Sequence, residues 1–208
     1  MQYTVNTGIG SKVTCKIEIP KEWKVVKLGG DIALTIMPQS PPSSTYNKDG
    51  IGLPFLQGKM EFGNMYPSPA MYCSNSIKIA KLMMLISVKA PVGDVNLAPC
   101  KLCIGRGLAA IRFNEKKANH LFYFYYLQKI KKFLEALGKG STFKAIVKDD
   151  LEGLRVPLPS LPEKERIARF LLSVDRTLEV ERKRKERLER IKNALMDLLL
   201  TEKIRVRI

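Results

Sequence analysis

The sequence predicts an α+β domain followed by one long α-helix. Short apolar segments occupy the first 160 residues, separated by turns rich in Gly, Pro, Ser and Asn, as in a domain of short strands. From Glu163 to Lys203 the chain has neither Pro nor Gly and is rich in Glu, Lys, Arg and Leu, which is typical of a continuous helix. We therefore divide the chain into a globular domain, residues 1–160, and a helical segment, residues 161–208.

Local patterns predict the first elements of the globular domain. The ordered domain begins with the segment from Ile19 to Leu28, and residues 38–50 form a loop because they are dense in Pro, Ser and Asn. Apolar residues cluster in residues 78–88, which indicates one or two strands. Residues 89–103 are loop-like, and Leu108–Phe113 reads as a strand.

A helix and an edge strand complete the globular domain. Asn119 is a suitable N-cap for a helix that runs to Leu137, and Gly138 suits the position just after its end. Residues 138–150 form a loop rich in Gly, Ser and Lys. Residues 154–159 are a short edge strand that ends in prolines.

The long helix carries an apolar seam. Its apolar residues recur at alternating steps of three and four, which is the spacing of a coiled coil. The seam consists of Ile167, Leu171, Val174, Leu178, Leu188, Ile191, Leu195 and Leu199. Residues 179–187, between its two halves, are strongly polar. Because the helix is about 60 Å long at 1.5 Å per residue, one small domain cannot cover the seam. We expect a partner helix, supplied by a second copy of the chain in a homodimer.

The charge of the chain points to a polyanionic partner. Lys and Arg number 36 and Asp and Glu 20, a formal net charge of +16. Residues 161–208 hold 14 basic and 9 acidic residues, so 22 basic and 11 acidic residues remain in the first 160 and most of the excess lies in the globular domain. Nucleic acid is the first expected partner and an anionic membrane surface the second, and the alternative to both is a basic surface that is only solvated.

The chain has no sequence feature of a membrane or secreted protein. No apolar run approaches the about 20 residues that a membrane span needs. The first residues lack the basic start and apolar block of a secretory signal. We expect a cytoplasmic protein with no membrane association.

No residue pattern indicates catalysis. Cys100 and Cys103 have the spacing of a zinc knuckle or a redox pair, but a structural zinc site usually has a second close Cys/His pair. Residues 40–43 (SPPS) resemble the target-base loop of amino-methyltransferases, except that Ser43 replaces the aromatic residue. His120 has no carboxylate or thiol neighbour at triad spacing. We expect no active site, no metal and no cofactor.

Several motifs in order identify a family. Residues 19–28 (IPKEWKVVKL) contain a proline, an acidic residue and a tryptophan, and residues 52–57 (GLPFLQ) form a short apolar strand. Residues 92–111 contain a glycine loop followed by a strand. The most specific motif is residues 154–168 (LRVPLPSLPEKERIA). Together these segments resemble the specificity subunit of type I restriction–modification systems.

This resemblance implies both a function and its partners. The globular domain would be a target-recognition domain that reads double-stranded DNA, and the long helix a spacer that sets the gap of a bipartite site. Modification subunits, which methylate adenine, would bind the specificity subunit and link it to the restriction subunit. Family members typically carry two recognition domains and two spacer helices, whereas this chain has one of each, so we expect a half-subunit or a fragment of a longer one.

Seven residues on loops or loop edges are candidate DNA contacts. Lys and Arg can pair with phosphates, Arg can also pair with guanine, and hydroxyl groups add hydrogen bonds to phosphate. The candidates are Lys59, Lys101, Arg106, Lys139, Ser141, Thr142 and Lys144. The alternative function is a non-enzymatic coiled-coil adaptor whose basic surface only keeps it in solution.

Overall fold

The fold is known from a computed structural model, which describes residues 2–5, 15–30, 32–75, 79–80, 83–139 and 145–201. The strands are β1 (Gln2–Val5), β2 (Cys15–Glu18), β3 (Lys24–Lys27), β4 (Ala33–Ile36), β5 (Tyr46–Asn47), β6 (Leu53–Leu56), β7 (Met71–Cys73), β8 (Ile79–Ala80), β9 (Met84–Ser87), β10 (Val95–Leu97), β11 (Leu102–Ile104), β12 (Leu108–Phe113) and β13 (Arg155–Leu158). The helices are α1 (His120–Lys129), α2 (Lys131–Lys139), α3 (Lys148–Gly153) and α4 (Leu161–Leu200). This mixture of short strands and helices confirms the predicted α+β class.

Two sheets share the main core of the globular part. One is antiparallel, with the strand order β10-β9-β12-β4, and the other is mixed, with the order β5-β7-β6-β11-β8. Apolar residues from both sheets form one buried cluster, which includes Leu56, Leu85, Leu102, Ile104 and Leu108. Since each strand has only two to six residues, this shared burial stabilises strands that would not be stable singly.

Two smaller sheets complete the strand pairing. β1 pairs with β2, and β13 pairs with β3 in the register Val156 opposite Val26. The predicted edge strand in residues 154–159 is therefore confirmed as β13. After β3, the chain passes so close to α3 that a Cβ on Gly29 would lie 2.5 Å from Cβ of Glu152.

The predicted helix after Asn119 is correct at its start and wrong at its end. The Asn119 side chain accepts a 3.0 Å hydrogen bond from the N–H of Phe122, as an N-cap does. The helix breaks at Ile130, and α2 continues beyond it. Gly138 lies inside α2 and not after its end. A Cβ there would lie 3.0 Å from Cγ2 of Val92, so the lack of a side chain allows close packing.

Two predicted loops contain regular structure. Residues 89–103 contain strand β10 and the first two residues of β11, and both strands are fully buried. α3 begins at Lys148 within the predicted 138–150 loop. Sequence patterns do not predict strands β10 and β11 because each has three residues, too few to show an alternation of apolar and polar side chains. The strand predicted at Leu108–Phe113 is confirmed with the same limits.

The chain divides into two compact units, Met1–Arg166 and Ile167–Ile208. α4 begins in the first unit, with Pro162 in its first turn where a missing N–H costs no hydrogen bond. In the second unit the apolar side chains of the seam are largely open, since Val174, Leu178 and Leu188 are 43%, 47% and 58% exposed. Nowhere in the described residues is there a helix long and apolar enough to cross a membrane.

Candidate nucleic-acid interface

Three loops of the globular unit meet at one surface. They are residues 38–45, 57–58 and 105–107, and we call them the loop cluster. The N–H of Arg106 donates a 3.0 Å hydrogen bond to Oγ of Ser40, and the N–H of Gly105 donates a 2.8 Å hydrogen bond to the carbonyl of Leu56. Backbone contacts therefore position the turn that carries Arg106.

The glycines on either side of Arg106 allow this close approach. A Cβ on Gly107 would lie 2.4 Å from the carbonyl oxygen of Gln57, a distance that no side chain tolerates. A Cβ on Gly105 would lie 3.1 Å from Oγ of Ser40 and 3.3 Å from the Phe55 ring. The turn is thus packed directly against the end of β6.

Tyr46 contacts the first loop of the cluster, residues 38–45, through its hydroxyl group. Its ring stacks on Phe55 with centroids 4.4 Å apart, and its hydroxyl donates a 2.8 Å hydrogen bond to the carbonyl of Pro41. Burial raises the pKa of Tyr46, and the thiols of Cys73 and Cys103 act in the same direction. The phenol therefore stays protonated at neutral pH and remains a hydrogen-bond donor to the loop.

The exposed side chains of the loop cluster are suited to reading base edges. Gln39, Ser43, Gln57 and Arg106 all face solvent. Arginine can form two hydrogen bonds with guanine and glutamine two with adenine in the major groove, and both can also contact phosphate.

A second polar feature is an ion-pair network on Asp94. Its carboxylate accepts hydrogen bonds from Nζ of Lys59 at 2.7 Å and from Nζ of Lys131 at 2.6 Å. Burial by itself would raise the pKa of Asp94, but the hydrogen bonds and charges of Lys131 and Lys59 hold it below its usual value. The same carboxylate raises the pKa of Lys131.

Backbone contacts hold Asp94 in place. Its N–H donates a 3.0 Å hydrogen bond to Oγ of Ser87, and its carbonyl accepts a 2.8 Å hydrogen bond from the N–H of Ser87. The preceding Gly93 has a φ of +91°, a conformation that residues with a side chain rarely adopt. The Gly-Asp motif thus forms a turn that links two lysines from distant segments.

Comparison with known proteins identifies the family. Residues 20–190 match the family described as the type I restriction modification DNA specificity domain. The chain belongs to this family. The resemblance predicted from its sequence motifs is confirmed.

Relatives of the specificity-domain family extend the match over nearly the whole chain. A putative type I restriction enzyme MjaX specificity subunit of Methanocaldococcus jannaschii is 55% identical over 192 residues, which cover 91% of this chain and 45% of that protein. The crystal structure of the HsdS subunit from Thermoanaerobacter tengcongensis is 38% identical with a TM-score of 0.68, covering 88% of this chain and 46% of that one.

A further solved structure, from work on complex assembly and conformational transition of the type I restriction–modification system, is 39% identical with a TM-score of 0.72. The match covers 88% of this chain and 46% of that one. This specificity-domain chain therefore spans about half the length of the curated relatives that it matches.

The seven predicted DNA contacts of this specificity domain lie in different surroundings. Arg106 belongs to the loop cluster, Lys101 is exposed in the turn before β11, and Lys59 is paired with Asp94. Lys139 is the last residue of α2, and its side chain lies outside the described part of the chain. The remaining three lie outside the described residues altogether, and they are Ser141, Thr142 and Lys144.

Sequence reasoning missed several residues that shape the site. It considered residues 40–43 only as a methyltransferase loop and did not connect Ser40 with Arg106. It also missed Gln57, Lys131 and the role of Asp94. The Gly-Arg-Gly turn was the available signal, because two glycines around one arginine indicate a backbone that approaches another closely.

The cysteines occupy contrasting environments. Cys73 and Cys103 are buried and Cys100 is exposed, so the close Cys100–Cys103 pair does not share one environment. Burial, with the nearby Cys73 thiol, raises the pKa of Cys103 to about 12 and keeps that thiol protonated. Among the described residues, no group of three or more His, Cys, Asp or Glu side chains is arranged to hold a metal ion.

Proposed function

We propose that this chain is the DNA-recognition part of a type I restriction–modification complex and performs no catalysis itself. The match of residues 20–190 to the specificity-domain family carries this proposal. Residues 1–160 would form the target-recognition domain and residues 161–208 the spacer and dimerisation helix. The name of the 55% identical relative, a putative specificity subunit, supports the same role.

Recognition would combine two kinds of contact. The basic surface of the globular domain holds DNA by its phosphates, which supplies affinity without sequence preference. The loop cluster brings Arg106, Gln57 and Gln39 toward base edges, which supplies the preference. Because Ser40 holds the backbone of Arg106, binding has to order the arginine side chain but not the turn that carries it.

The partners would be modification subunits, and through them the restriction subunit. We also infer that two copies of the chain pair through antiparallel α4 helices as a homodimer. The exposed seam supports this pairing, since Ile191, Leu195 and Leu199 are 47%, 49% and 40% exposed. A two-fold dimer with identical recognition domains would read a palindromic bipartite site.

Co-expression with a modification subunit tests the function. The chain and the modification subunit should co-purify, and single-molecule sequencing of host DNA should show methylated adenines in one bipartite motif. The modification subunit alone is the control and should leave no motif. Methylation that is the same with and without this chain would contradict the proposed function.

The symmetry of the motif tests the homodimer separately. Two identical half-sites on opposite strands are expected. An asymmetric motif would contradict pairing of two identical chains but would leave DNA recognition standing.

A further inference from the structure

A cleft in the globular unit has an excess of positive charge among its lining residues. It has a volume of about 760 Å³ and lies where β3, the turn before α1 and the first turn of α4 meet. Its charged lining residues are Lys24, Lys27, Lys116, Lys117, Lys164 and Glu22. None of these residues belongs to the loop cluster, so the cleft is a separate feature of the surface.

Lys164 is the unusual member of this set. Its side chain is only 1% exposed, and its Nζ donates a 2.6 Å hydrogen bond to the backbone carbonyl of Lys117. That acceptor is neutral, so the hydrogen bond does not neutralise the ammonium group. Burial lowers the pKa of Lys164. A buried lysine without an opposing charge is costly unless something else supplies that charge.

Among the described residues, no carboxylate lies within ion-pair distance of Nζ of Lys164. Glu163, the residue before Lys164, accepts a 3.1 Å hydrogen bond from Nε1 of Trp23. Glu22 is the single carboxylate in the lining. Among the ion pairs formed by the described residues, none includes Lys24, Lys27 or Lys164. Five lysines therefore share one cleft with one carboxylate.

We propose that this cleft binds phosphate groups of a nucleic-acid backbone. Like charges gathered in one cleft repel each other, and a phosphate relieves that repulsion while accepting hydrogen bonds from several ammonium groups. The inference rests on the proposed function, because DNA is the nucleic acid that a recognition domain would hold. It adds a contact site outside the loops from which DNA recognition was predicted.

The chemistry of the cleft makes the contact independent of sequence. Lysine acts as a point charge on a flexible stem and does not impose the paired geometry that distinguishes one base from another. The cleft thus contributes affinity, while the loop cluster contributes specificity. Lys24 and Lys116 are exposed on different elements, β3 and a turn, so they can be changed without disturbing the buried Lys164.

The test compares two double variants of equal charge in the full chain. Lys24→Gln with Lys116→Gln removes two charges from the cleft, and Lys129→Gln with Lys132→Gln removes two exposed charges from α1 and α2. Binding of a short DNA duplex is measured by anisotropy across salt concentrations. Each lost phosphate contact lowers the slope of log affinity against log salt by about 0.9. We expect a loss of about 1.8 in the cleft variant, about none in the control, and the same sequence preference in both.

The outcomes separate this inference from the proposed function. If the wild type binds DNA and both double variants keep its slope, the inference is wrong and the proposed function stands. If the cleft variant keeps the slope but no longer co-purifies with a modification subunit, the cleft is a protein-docking surface and the inference is also wrong.

If the wild type binds no DNA, the proposed function fails. The melting temperature in inorganic phosphate then decides whether the cleft binds phosphate groups. Phosphate that raises the melting temperature of the wild type and the control, but not of the cleft variant, would support a site for free phosphate chemistry. An equal effect on all three would overturn the inference.

Discussion

The N–H of Arg106 donates a 3.0 Å hydrogen bond to Oγ of Ser40, although 66 positions separate the two residues in the chain. The serine precedes two prolines, which restrict the backbone of its segment. The arginine lies between two glycines, which leave its turn flexible, so the hydrogen bond supplies a constraint that the turn itself lacks. The hydrogen bond joins a loop from the start of the globular unit to one from its middle.

Arg106→Ala should weaken specific DNA binding. Loss of a bidentate contact to guanine costs about 1–3 kcal/mol and relaxes the preference at one base position. A binding selection from randomised duplexes measures that preference, and Arg112→Ala, an exposed arginine on β12, is the control. If the affinity falls equally for all duplexes, Arg106 contacts phosphate and the base-reading role is wrong.

Asp94→Asn should destabilise the globular unit. The change removes the charge that accepts hydrogen bonds from Lys59 and Lys131. It also places an amide NH₂ group, which is a donor, beside two ammonium groups that are themselves donors. Because the Asp94 side chain is 23% exposed, we expect a loss of about 1–2 kcal/mol, at the lower end for hydrogen bonds to charged groups. Urea unfolding measures it, with Asp49→Asn in an exposed loop as the control.

The difference in unfolding free energy between wild type and Asp94→Asn should depend on pH with a definite sign. Since the folded pKa of Asp94 lies below its unfolded value near 3.9, its contribution is fully present above about pH 4. It is lost as the pH falls through the folded pKa. The gap between wild type and Asp94→Asn should therefore be constant near neutral pH and shrink in acid. A gap that widens in acid would show that Asp94 does not act through its charge.

Leu195→Asp should prevent self-association through the helix. Burying a leucine is worth about 1.5–3 kcal/mol, and a symmetric dimer loses two of them while gaining two buried charges. Light scattering at increasing concentration should give a monomer mass for this variant and a dimer mass for the wild type. Asn193→Asp adds the same charge on the other side of α4 and should remain dimeric. A monomeric wild type would contradict the homodimer.

A seven-residue insertion in residues 179–187 should lengthen the DNA spacer. This segment is highly exposed and is held by ion pairs one turn apart, such as Lys183 with Glu179 and Lys185 with Glu189. One heptad keeps the seam in register and adds about 10 Å. That is about three base pairs, so methylome sequencing should show a gap wider by about three. An insertion of four residues is the control, because it shifts the seam and should weaken assembly.

Sequence patterns predicted the parts of this fold that have long or local signals. α4 follows from composition over forty residues, and the Asn119 cap depends on an atom only three residues away. Strands β10 and β11 were missed because burial by other strands, not local pattern, makes them strands. The candidate site was predicted only at Arg106. Its link to Ser40 depends on how two sheets bring distant loops together, which no local pattern contains.

In the loop cluster, the groups that hold the backbone in place differ from the side chains that are exposed to solvent. Its backbone is held by the Ser40 hydroxyl, the glycines of the Gly-Arg-Gly turn and the Tyr46–Phe55 stack. Across the described part of the chain, the side chains of Gln39, Gln57 and Arg106 form none of the hydrogen bonds that hold the loops. Under the proposed function, substitution at these three positions would change the DNA sequence that is bound while the scaffold beneath keeps its shape.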